Sequence, residues 1–540
     1  MKRFALALLF TFSAVAASGP AVPNELRFAI AADPGSFDPL HVEESNAEIV
    51  RYLTAGVLVR VNRVSGNLEP ELAASWNLNE GGRALTFQLR PGLKFSDGTP
   101  LTAVEVGHTL ERALDPKQPS PAGDTLRSAE GIPEIRVTSP VSLTIRYKTP
   151  KPGFESLFDG LGIADPRLAD PAFVKTGKLP ASAGPFYIAE FHRGDFIRLR
   201  RNPNYWKRDQ AGHPLPYLDS VRLDIQQNKD IELTRFLRGE LHLINRVDPD
   251  NFSRLQKERP GAARNLGPSL DSQFLWFNQN AAKTLPEWKR KWFTSTVFRR
   301  AISHAVHRDD MVRIVYGGSA HAAAGPISPA NRFWFNKELK PLATDPAEAL
   351  KLLASEGFAL RDGVLKDRGG HAVEFSLVTN SGNSARERLA QIVQSDLLKI
   401  GIRVNFVPLE FNSLMDRIGK SYDYEAAILG FTNVELDPLL EKNVWLSSGP
   451  QHAWAPLQKS PATPWEARID ELELKQATEG SREVRKKAID EVQRIVVAEV
   501  PLIYLVNPDY LCAISPALQG AQPAVAPPQV LWNVEWLRLR

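Results

Sequence analysis

Residues 68–112 read LEPELAASWNLNEGGRALTFQLRPGLKFSDGTPLTAVEVGHTLER. Leu85, Phe87 and Leu89 alternate with polar residues, which is the two-residue period of a half-buried strand. The residues before this strand place apolar side chains at a helical spacing and so predict a helix: Leu68, Leu72, Ala73 and Trp76.

The second half of the segment predicts turns followed by a helix. Pro91-Gly92 and Asp97-Gly98 are pairs typical of turns, and Thr102 can cap a helix that runs on to Leu114. The segment carries much chemistry that forms structure and no arrangement of catalytic groups. It therefore indicates a binding function.

The order of helix, strand, KFSDGTPLTA turn and helix closely resembles the signature region of the family 5 extracytoplasmic solute-binding proteins, which deliver peptides, nickel and related solutes to ABC importers. One departure is Val104-Glu105-Val106, where the family usually carries an acidic pair before its valine. Further segments resemble motifs of the same family along most of the chain: Gly184–Tyr187, Arg201–Trp206 (RNPNYW) and Asp345–Gly357.

The resemblance implies an α/β fold of the type II periplasmic binding protein kind, with two α/β lobes of mixed sheets, crossover strands between them and a smaller domain inserted in the first lobe. Alternating helices and strands, as in Ser384–Val407, independently favour α/β lobes. Crossovers are expected near residues 272–278 and 501–507. The expected parts are a signal peptide at 1–17, lobe I at 18–60 with 178–272 and 507–540, the inserted domain at 61–177, and lobe II at 273–506.

Composition supports a globular chain without a nucleic-acid partner. The chain is 43% hydrophobic and 24% charged, as in globular proteins, and its 540 residues are enough for two or three domains. Removal of Lys2 and Arg3 with a signal peptide lowers the formal charge from +4 to +2, with 64 basic against 62 acidic residues. So small an excess gives no case for nucleic acid.

The N-terminus predicts secretion. Lys2 and Arg3 precede an apolar run from Phe4 to Val15 and then small residues, which is the pattern of a signal peptide cleaved near Ala16 or Ala17. The alternative is an N-terminal helix of the mature fold. Because the only cysteine is Cys512, an intrachain disulfide and a lipid anchor at the cleavage site are both excluded. We therefore expect a periplasmic protein that is not a lipoprotein.

Motifs for catalysis are missing from the sequence, which favours a protein that is not an enzyme and has no cofactor. No GxSxG, HExxH, P-loop or CxxC string occurs. His304 and His307 lie three apart on a predicted helix, and His321 follows, so a metal site stays open as an alternative. The apolar neighbours of these histidines favour a structural helix instead, and no metal ligand is predicted.

The loop Thr432–Pro438 is the leading candidate for ligand binding. Peptide binders of the family use an acidic residue here to hold the ligand's α-ammonium, and Val434 stands at the usual aspartate position. The resemblance then points to Asn433, Glu435 and Asp437 as adjacent substitutes. The alternative for Asp437 is that it merely caps the next helix.

A second loop resembles the first-lobe segment that touches bound peptide backbones; its residues are Val42, Glu43, Glu44, Ser45 and Asn46. The alternative is a solvated acidic turn and helix start. Phe277 and Trp445 are candidate cleft walls, although aromatic residues at such positions are often core. The Pro-rich loop Trp454–Trp465 could also shape a pocket.

These patterns predict the periplasmic component of an ABC importer, which captures peptides or peptide-like solutes by hinge closure and passes them to permease subunits in the inner membrane. We expect a monomer. The alternatives are a nickel, metal-chelate or oligosaccharide carrier on the same scaffold, a secreted hydrolase, and a periplasmic chaperone.

Overall fold

The structure is a computed structural model, and it describes residues 24–42, 44–118, 120–127, 131–151, 153–280, 285–431, 436–479 and 481–540. The expected signal peptide lies outside the described residues. The α-helices are Ser45–Thr54, Ala103–Leu114, Pro121–Leu126, Pro171–Lys175, Lys229–Leu237, Pro249–Glu258, Glu287–Thr294, Thr296–Ala305, Arg308–Asp310, Pro346–Ser355, Ser384–Lys399, Phe411–Asp416, Lys442–Trp445, Pro464–Thr478 and Arg482–Glu499.

Twelve strands form one large mixed sheet. Its order is Arg403–Leu409, Glu374–Asn380, Ala426–Phe431, Ser272–Phe277, Ile503–Ile514, Leu243–Ile244, Glu25–Ile30, Ser220–Ile225, Phe196–Arg201 and Phe186–His192, with Ala263–Pro268 and Ala320–Ala322 also paired to Ile503–Ile514. The smaller sheets contain Val59–Val61 with Leu68–Pro70, Ala359–Arg361 with Val364–Lys366, and Leu518–Gln519 with Arg538–Leu539.

Strand Ile503–Ile514 joins the two halves of the large sheet. Up to Pro508 it pairs with Ser272–Phe277 and Ala320–Ala322, and from Asp509 onward it pairs with Ala263–Pro268 and Leu243–Ile244. All twelve of its residues are buried. We call the half that contains Glu25–Ile30 lobe I and the half that contains Glu374–Asn380 lobe II.

Each lobe has its own apolar core. Lobe I packs around buried residues such as Phe28 and Leu223. Lobe II has a core on each face of its sheet, one around Phe277 and Leu389 and one around Trp276. Separate cores on either side of a shared strand are the expected basis for two bodies that can move relative to one another.

A third, smaller unit is built on an antiparallel four-stranded sheet in the order Ala73–Asn79, Ala84–Leu89, Ser142–Arg146 and Glu134–Ser139. The helix Ala103–Leu114 packs on this sheet, and the apolar core between them also takes in Leu40, Leu58 and Ala183 from outside the expected range 61–177.

The prediction of a helix across Leu68–Trp76 is wrong. Ala73–Asn79 is a strand, and its Trp76 lies opposite Phe87 in the antiparallel pair with Ala84–Leu89. Pairing with a neighbouring strand decides the conformation here, which a local helical spacing does not reveal. The strand Ala84–Leu89 and the helix capped by Thr102 are confirmed, the latter with a reciprocal capping box to Glu105.

Within the described part of the chain, no helix is both long and apolar enough to cross a bilayer.

Candidate ligand cleft

The topology brings the carboxyl ends of parallel strands in both lobes to the same place. In lobe I, Glu25–Ile30 runs parallel to Ser220–Ile225 and to Leu243–Ile244. In lobe II, Glu374–Asn380 runs parallel to Arg403–Leu409 and to Ala426–Phe431. In open α/β sheets, ligands bind in the crevice outside the carboxyl ends of such strands.

The register shows that these two edges meet at the crossovers. The last residue of the lobe II strand, Phe431, lies opposite Ser272, directly after the connection from lobe I. In lobe I, Val247 donates to the Leu511 carbonyl at 2.9 Å, which directs the segment after Leu243–Ile244 toward the crossover at Asp509. The cleft therefore lies where residues 268–272 and 507–509 pass between the lobes.

On lobe I, the acidic loop proposed for ligand contact is organised mainly as a helix start. The Glu44 carboxylate accepts from the amides of Asn46 at 2.6 Å, Ala47 at 2.8 Å and Gly35 at 3.2 Å. The Asn46 side chain accepts from the Ala31 amide at 3.3 Å. Both side chains thus fix the loop, as the alternative interpretation of a helix start expects.

The other members of that loop are placed differently. Val42 is half-buried and Ser45 is exposed at the first position of the helix Ser45–Thr54. Glu43 lies outside the described residues.

Sequence reasoning missed Arg246, which follows strand Leu243–Ile244 at the lobe I edge. Its guanidinium donates to the carboxylate of Asp271 in the crossover segment. Asp271 is buried, with 5% of its side chain exposed, whereas 47% of the Arg246 side chain is exposed. The Asp271 carbonyl accepts from the Asn507 side chain at 3.0 Å, so the ion pair between Arg246 and Asp271 is linked to both crossover segments. A polar pair, Asn245-Arg246, directly after a short apolar strand was the available signal.

On lobe II, Arg386 faces the same crevice from the first turn of helix Ser384–Lys399. It donates to Gln273 at 2.8 Å and to Asn380 at 2.9 Å. Burial lowers the pKa of Arg386, and the nearby charge of Arg246 acts in the same direction. Tyr316 lies among these guanidinium groups, and its burial raises its pKa to about 12 although the positive charges oppose the shift.

Asp437 in the leading candidate loop, Thr432–Pro438, is already engaged by the protein. It caps the 3₁₀ helix Pro438–Glu441 by accepting from the Leu439 amide at 3.0 Å, and it forms an ion pair with Arg485, whose Nη1 lies 3.0 Å from Oδ2. The Arg485 side chain is only 4% exposed. Asp437 thus takes the capping role that was its alternative. Asn433 and Glu435 lie outside the described residues.

The expectation that Phe277 walls the cleft is wrong, because its ring is fully buried in the core of lobe II. It packs against Phe293, Phe298 and Phe375, with ring centroids 4.8, 5.6 and 5.1 Å away. Trp445 is also buried, with 6% exposure, in the apolar core on the other face of the lobe II sheet. It too lies in the core instead of presenting a wall to the cleft.

Lobe II contacts both lobe I and the small unit. Arg388 of lobe II lies 3.2 Å from Asp250 of lobe I. Gly153 of the small unit lies against the Asp437–Arg485 pair, so that a Cβ added at Gly153 would be 3.2 Å from Arg485 Nη1. Beside the crossover residue Leu270, a small cavity of about 10 Å³ is lined partly by Asn331 and Glu441. The lobes are therefore close together.

A larger groove of about 760 Å³ lies elsewhere, on the small unit, between the helix Ala103–Leu114 and residues 164–169. Its lining residues lie between His108 and Ala169, and none comes from the carboxyl ends of the lobe strands or from the crossovers. Because open α/β sheets bind ligands at the carboxyl ends of their strands, we take the crevice as the candidate ligand site, although the groove on the small unit has the larger volume.

The histidines considered for metal binding have separate partners. His304 bonds the Ala343 carbonyl at 2.8 Å, His307 lies 3.1 Å from Asp396, and His321 lies 3.1 Å from Asp509. Among the residues that the structure describes, no three His, Cys, Asp or Glu side chains are grouped to hold a metal ion.

Two α/β lobes that share crossover strands and enclose a polar crevice define a two-lobed binding protein. The chain belongs to the bacterial extracellular solute-binding proteins of family 5, whose family profile matches residues 67–452. The members of this family are binding proteins.

Individual relatives agree with this assignment. The probable D,D-dipeptide-binding periplasmic protein DdpA of Escherichia coli K12 is 25% identical over 515 residues, covering 93% of this chain and 92% of DdpA. The ABC transporter substrate-binding protein CtaP of Listeria monocytogenes matches with a TM-score of 0.80 at 20% identity, over 96% of this chain and 99% of CtaP. The oligopeptide-binding protein AppA of Bacillus subtilis, solved with a nonapeptide, matches with a TM-score of 0.74 at 22% identity, over 96% and 99%.

Proposed function

We propose that this protein is the periplasmic solute-binding component of an ABC importer and that it captures peptides or peptide-like solutes. The observation that carries the proposal is the crevice at the crossovers, where loop ends of both lobes converge. The likeness to DdpA along nine-tenths of both chains and to AppA in its nonapeptide complex supports a peptide-like ligand.

The mechanism is capture by closure of the two lobes. Bending at residues 268–272 and 507–509 would open and close the crevice, since these are the connections at which the shared strand changes partners. A ligand drives closure only by binding the closed state more tightly than the open one. The closed form would then dock on the permease, with the protein acting as a monomer.

The loop Thr432–Pro438 is proposed to hold the ligand's α-ammonium through Glu435. Asp437 already has Arg485 as its charged partner, so it is the weaker of the two acidic candidates. A buried ammonium needs a hydrogen-bonding anion, which a carboxylate supplies.

Native mass spectrometry of gently purified protein tests the proposal. The expected result is a mass increment equal to a small peptide or a peptide-like compound, released on denaturation. Calorimetry with di- to pentapeptides should then give saturable binding. A retained sugar or stoichiometric nickel, together with no binding across the peptide series, would contradict the proposal. Turnover of a peptide or ester library would instead favour the hydrolase alternative.

A further inference from the structure

Arg246 presents a positive group to the crevice from a fixed position. Its guanidinium is held by Asp271, which is buried in the crossover, while nearly half of the Arg246 side chain is exposed. A guanidinium has five N–H donors in a planar fork, so one carboxylate partner leaves donors for a second. The contact with Asp271 thus orients Arg246 and leaves it able to bind another anion.

The charges around Arg246 are unequal. Asp271 pairs with Arg246, and Asp250 pairs with Arg388 at the rim. Arg386 is buried with amide partners, Gln273 and Asn380. Of these three arginines, Arg386 therefore has amide partners where the other two have carboxylates, which leaves a positive charge without a paired carboxylate beside Arg246. This charge lies where the lobes meet, and a charge enclosed between them needs a counter-charge.

We propose that Arg246 is a specificity-determining residue, and that it binds an additional anionic group of the ligand, such as a side-chain carboxylate, from the lobe I side of the crevice. This inference rests on the proposed function. It narrows the solute from peptides in general to acidic peptides or peptide-like acids that carry a negative group in addition to a peptide's own α-carboxylate and the ammonium expected at residues 432–438.

Matched ligand pairs test the inference. The probes are dipeptides and tripeptides that differ only by glutamate against glutamine or aspartate against asparagine, together with non-peptide dicarboxylates and their monoamides. Wild type should bind the acidic member of a pair about tenfold or more tightly, as a charge-assisted pair at an enclosed site does. Arg246→Gln should remove that preference and leave the affinity for the neutral member unchanged.

The controls separate recognition from stability. Arg246→Gln removes the ion pair between Arg246 and the buried Asp271, so the double variant Arg246→Gln/Asp271→Asn is measured beside it and should also lose the preference. Arg146→Gln is the matched control, since Arg146 is similarly exposed, at 42%, and pairs with Glu80 on the small unit. It should keep the wild-type preference.

The outcomes distinguish this inference from the proposed function. Peptide binding without any preference for acidic members, or a preference that survives both Arg246 variants, overturns the inference and leaves the proposed function in place. If no peptide binds, the proposed function fails, and the dicarboxylate pairs then test the inference about Arg246 by themselves. An acid preference lost in both variants then still supports Arg246 as the anion site, and no acid preference overturns it.

Discussion

The indole nitrogen of Trp454 donates to the carboxylate of Glu466 at 3.0 Å, inside lobe II. The same carboxylate accepts from Gln458 at 3.0 Å and from the amide and hydroxyl of Thr463, also at 3.0 Å. The Pro-rich loop between Trp454 and Trp465 is therefore folded around one buried anion, which accounts for its aromatic content as packing.

Replacing Glu466 should destabilise lobe II. Burial alone would raise the pKa of Glu466, but hydrogen bonds led by those from His452 and Trp454 together lower it to about 2. Glu466→Ala would leave several buried donors unpaired, at a cost of about 1–3 kcal/mol each. Thermal denaturation should show a clear loss for Glu466→Ala, and Glu471→Ala on the exposed side of the same helix should show almost none.

The stabilisation from Glu466 should also depend on acid. Because its folded pKa is below the unfolded value, its contribution is complete above about pH 4.5 and declines as the pH falls toward 2. Equal melting temperatures for Glu466→Ala and wild type at pH 7 would contradict this account.

Glu473 should show the opposite pH dependence. Burial raises its pKa to about 7, so the folded protein holds a proton that the unfolded chain has already lost above about pH 4.5. Its contribution is full below that pH and is lost as the pH rises through 7. Glu473→Gln should therefore stabilise the protein at pH 8, by up to about 3 kcal/mol, and change little at pH 4.5. The exposed Glu374→Gln is the control, and a pH-independent effect of Glu473→Gln would count against the prediction.

In the ligand loop, Glu435 and Asp437 should separate binding from stability. Glu435→Gln is expected to weaken peptide affinity about tenfold or more without changing the melting temperature, because Glu435 is the proposed partner of the ligand cation. Asp437→Asn is expected to lower stability by about 1–3 kcal/mol, because Arg485 loses its carboxylate. Calorimetry and thermal melts on both variants check this. If affinity is unchanged when both residues are replaced, the assignment of ammonium binding to Glu435 or Asp437, which comes from the family resemblance, is wrong.

Gly153→Ala should hinder closure. Gly153 has a φ of 70° and lies against Arg485, so an added Cβ brings both backbone strain and a contact at 3.2 Å. Gly66→Ala is a matched control, since its φ is 73° and a Cβ there meets open space. Both variants should lose similar stability, about 1 kcal/mol, but only Gly153→Ala should weaken ligand affinity. Equal affinities for the two variants would mean that this contact does not act in closure.

The ion pair between Arg388 and Asp250 should slow ligand release modestly. Both side chains are partly exposed, so the pair is worth at most about 1 kcal/mol, or up to about fivefold in rate. Stopped-flow measurement of release should show faster dissociation for Asp250→Asn, with the effect reduced at high salt. Asp250→Arg combined with Arg388→Asp should restore the slow rate, and no recovery would argue against a direct pair.

Local features of the fold were predictable where short-range chemistry decides them. Thr102 caps its helix and Leu85, Phe87 and Leu89 face the core, because capping and strand alternation depend on immediate neighbours. The segment before that strand was assigned to the wrong element because Trp76 is positioned by its cross-strand partner Phe87.

The site was less predictable because its residues are brought together by topology. The proposed role of Arg246 depends on its bond to Asp271, which lies 25 residues further along the chain, in the crossover segment. Phe277 has the sequence context of a cleft wall, and only its burial by three other rings identifies it as core. Aromatic and charged residue types suggest a site, but their exposure in the fold decides it.

The shared strand Ile503–Ile514 has a consequence for the order of assembly. It comes from the last tenth of the chain, yet it fills the middle of the large sheet and borders strands of both lobes. The chain is synthesised from its N-terminus to its C-terminus. Strands such as Ser272–Phe277 and Ala263–Pro268 must therefore keep an unpaired edge until residues 503–514 have been made. Neither lobe can complete its sheet early, so the two lobes should gain their final stability together and late.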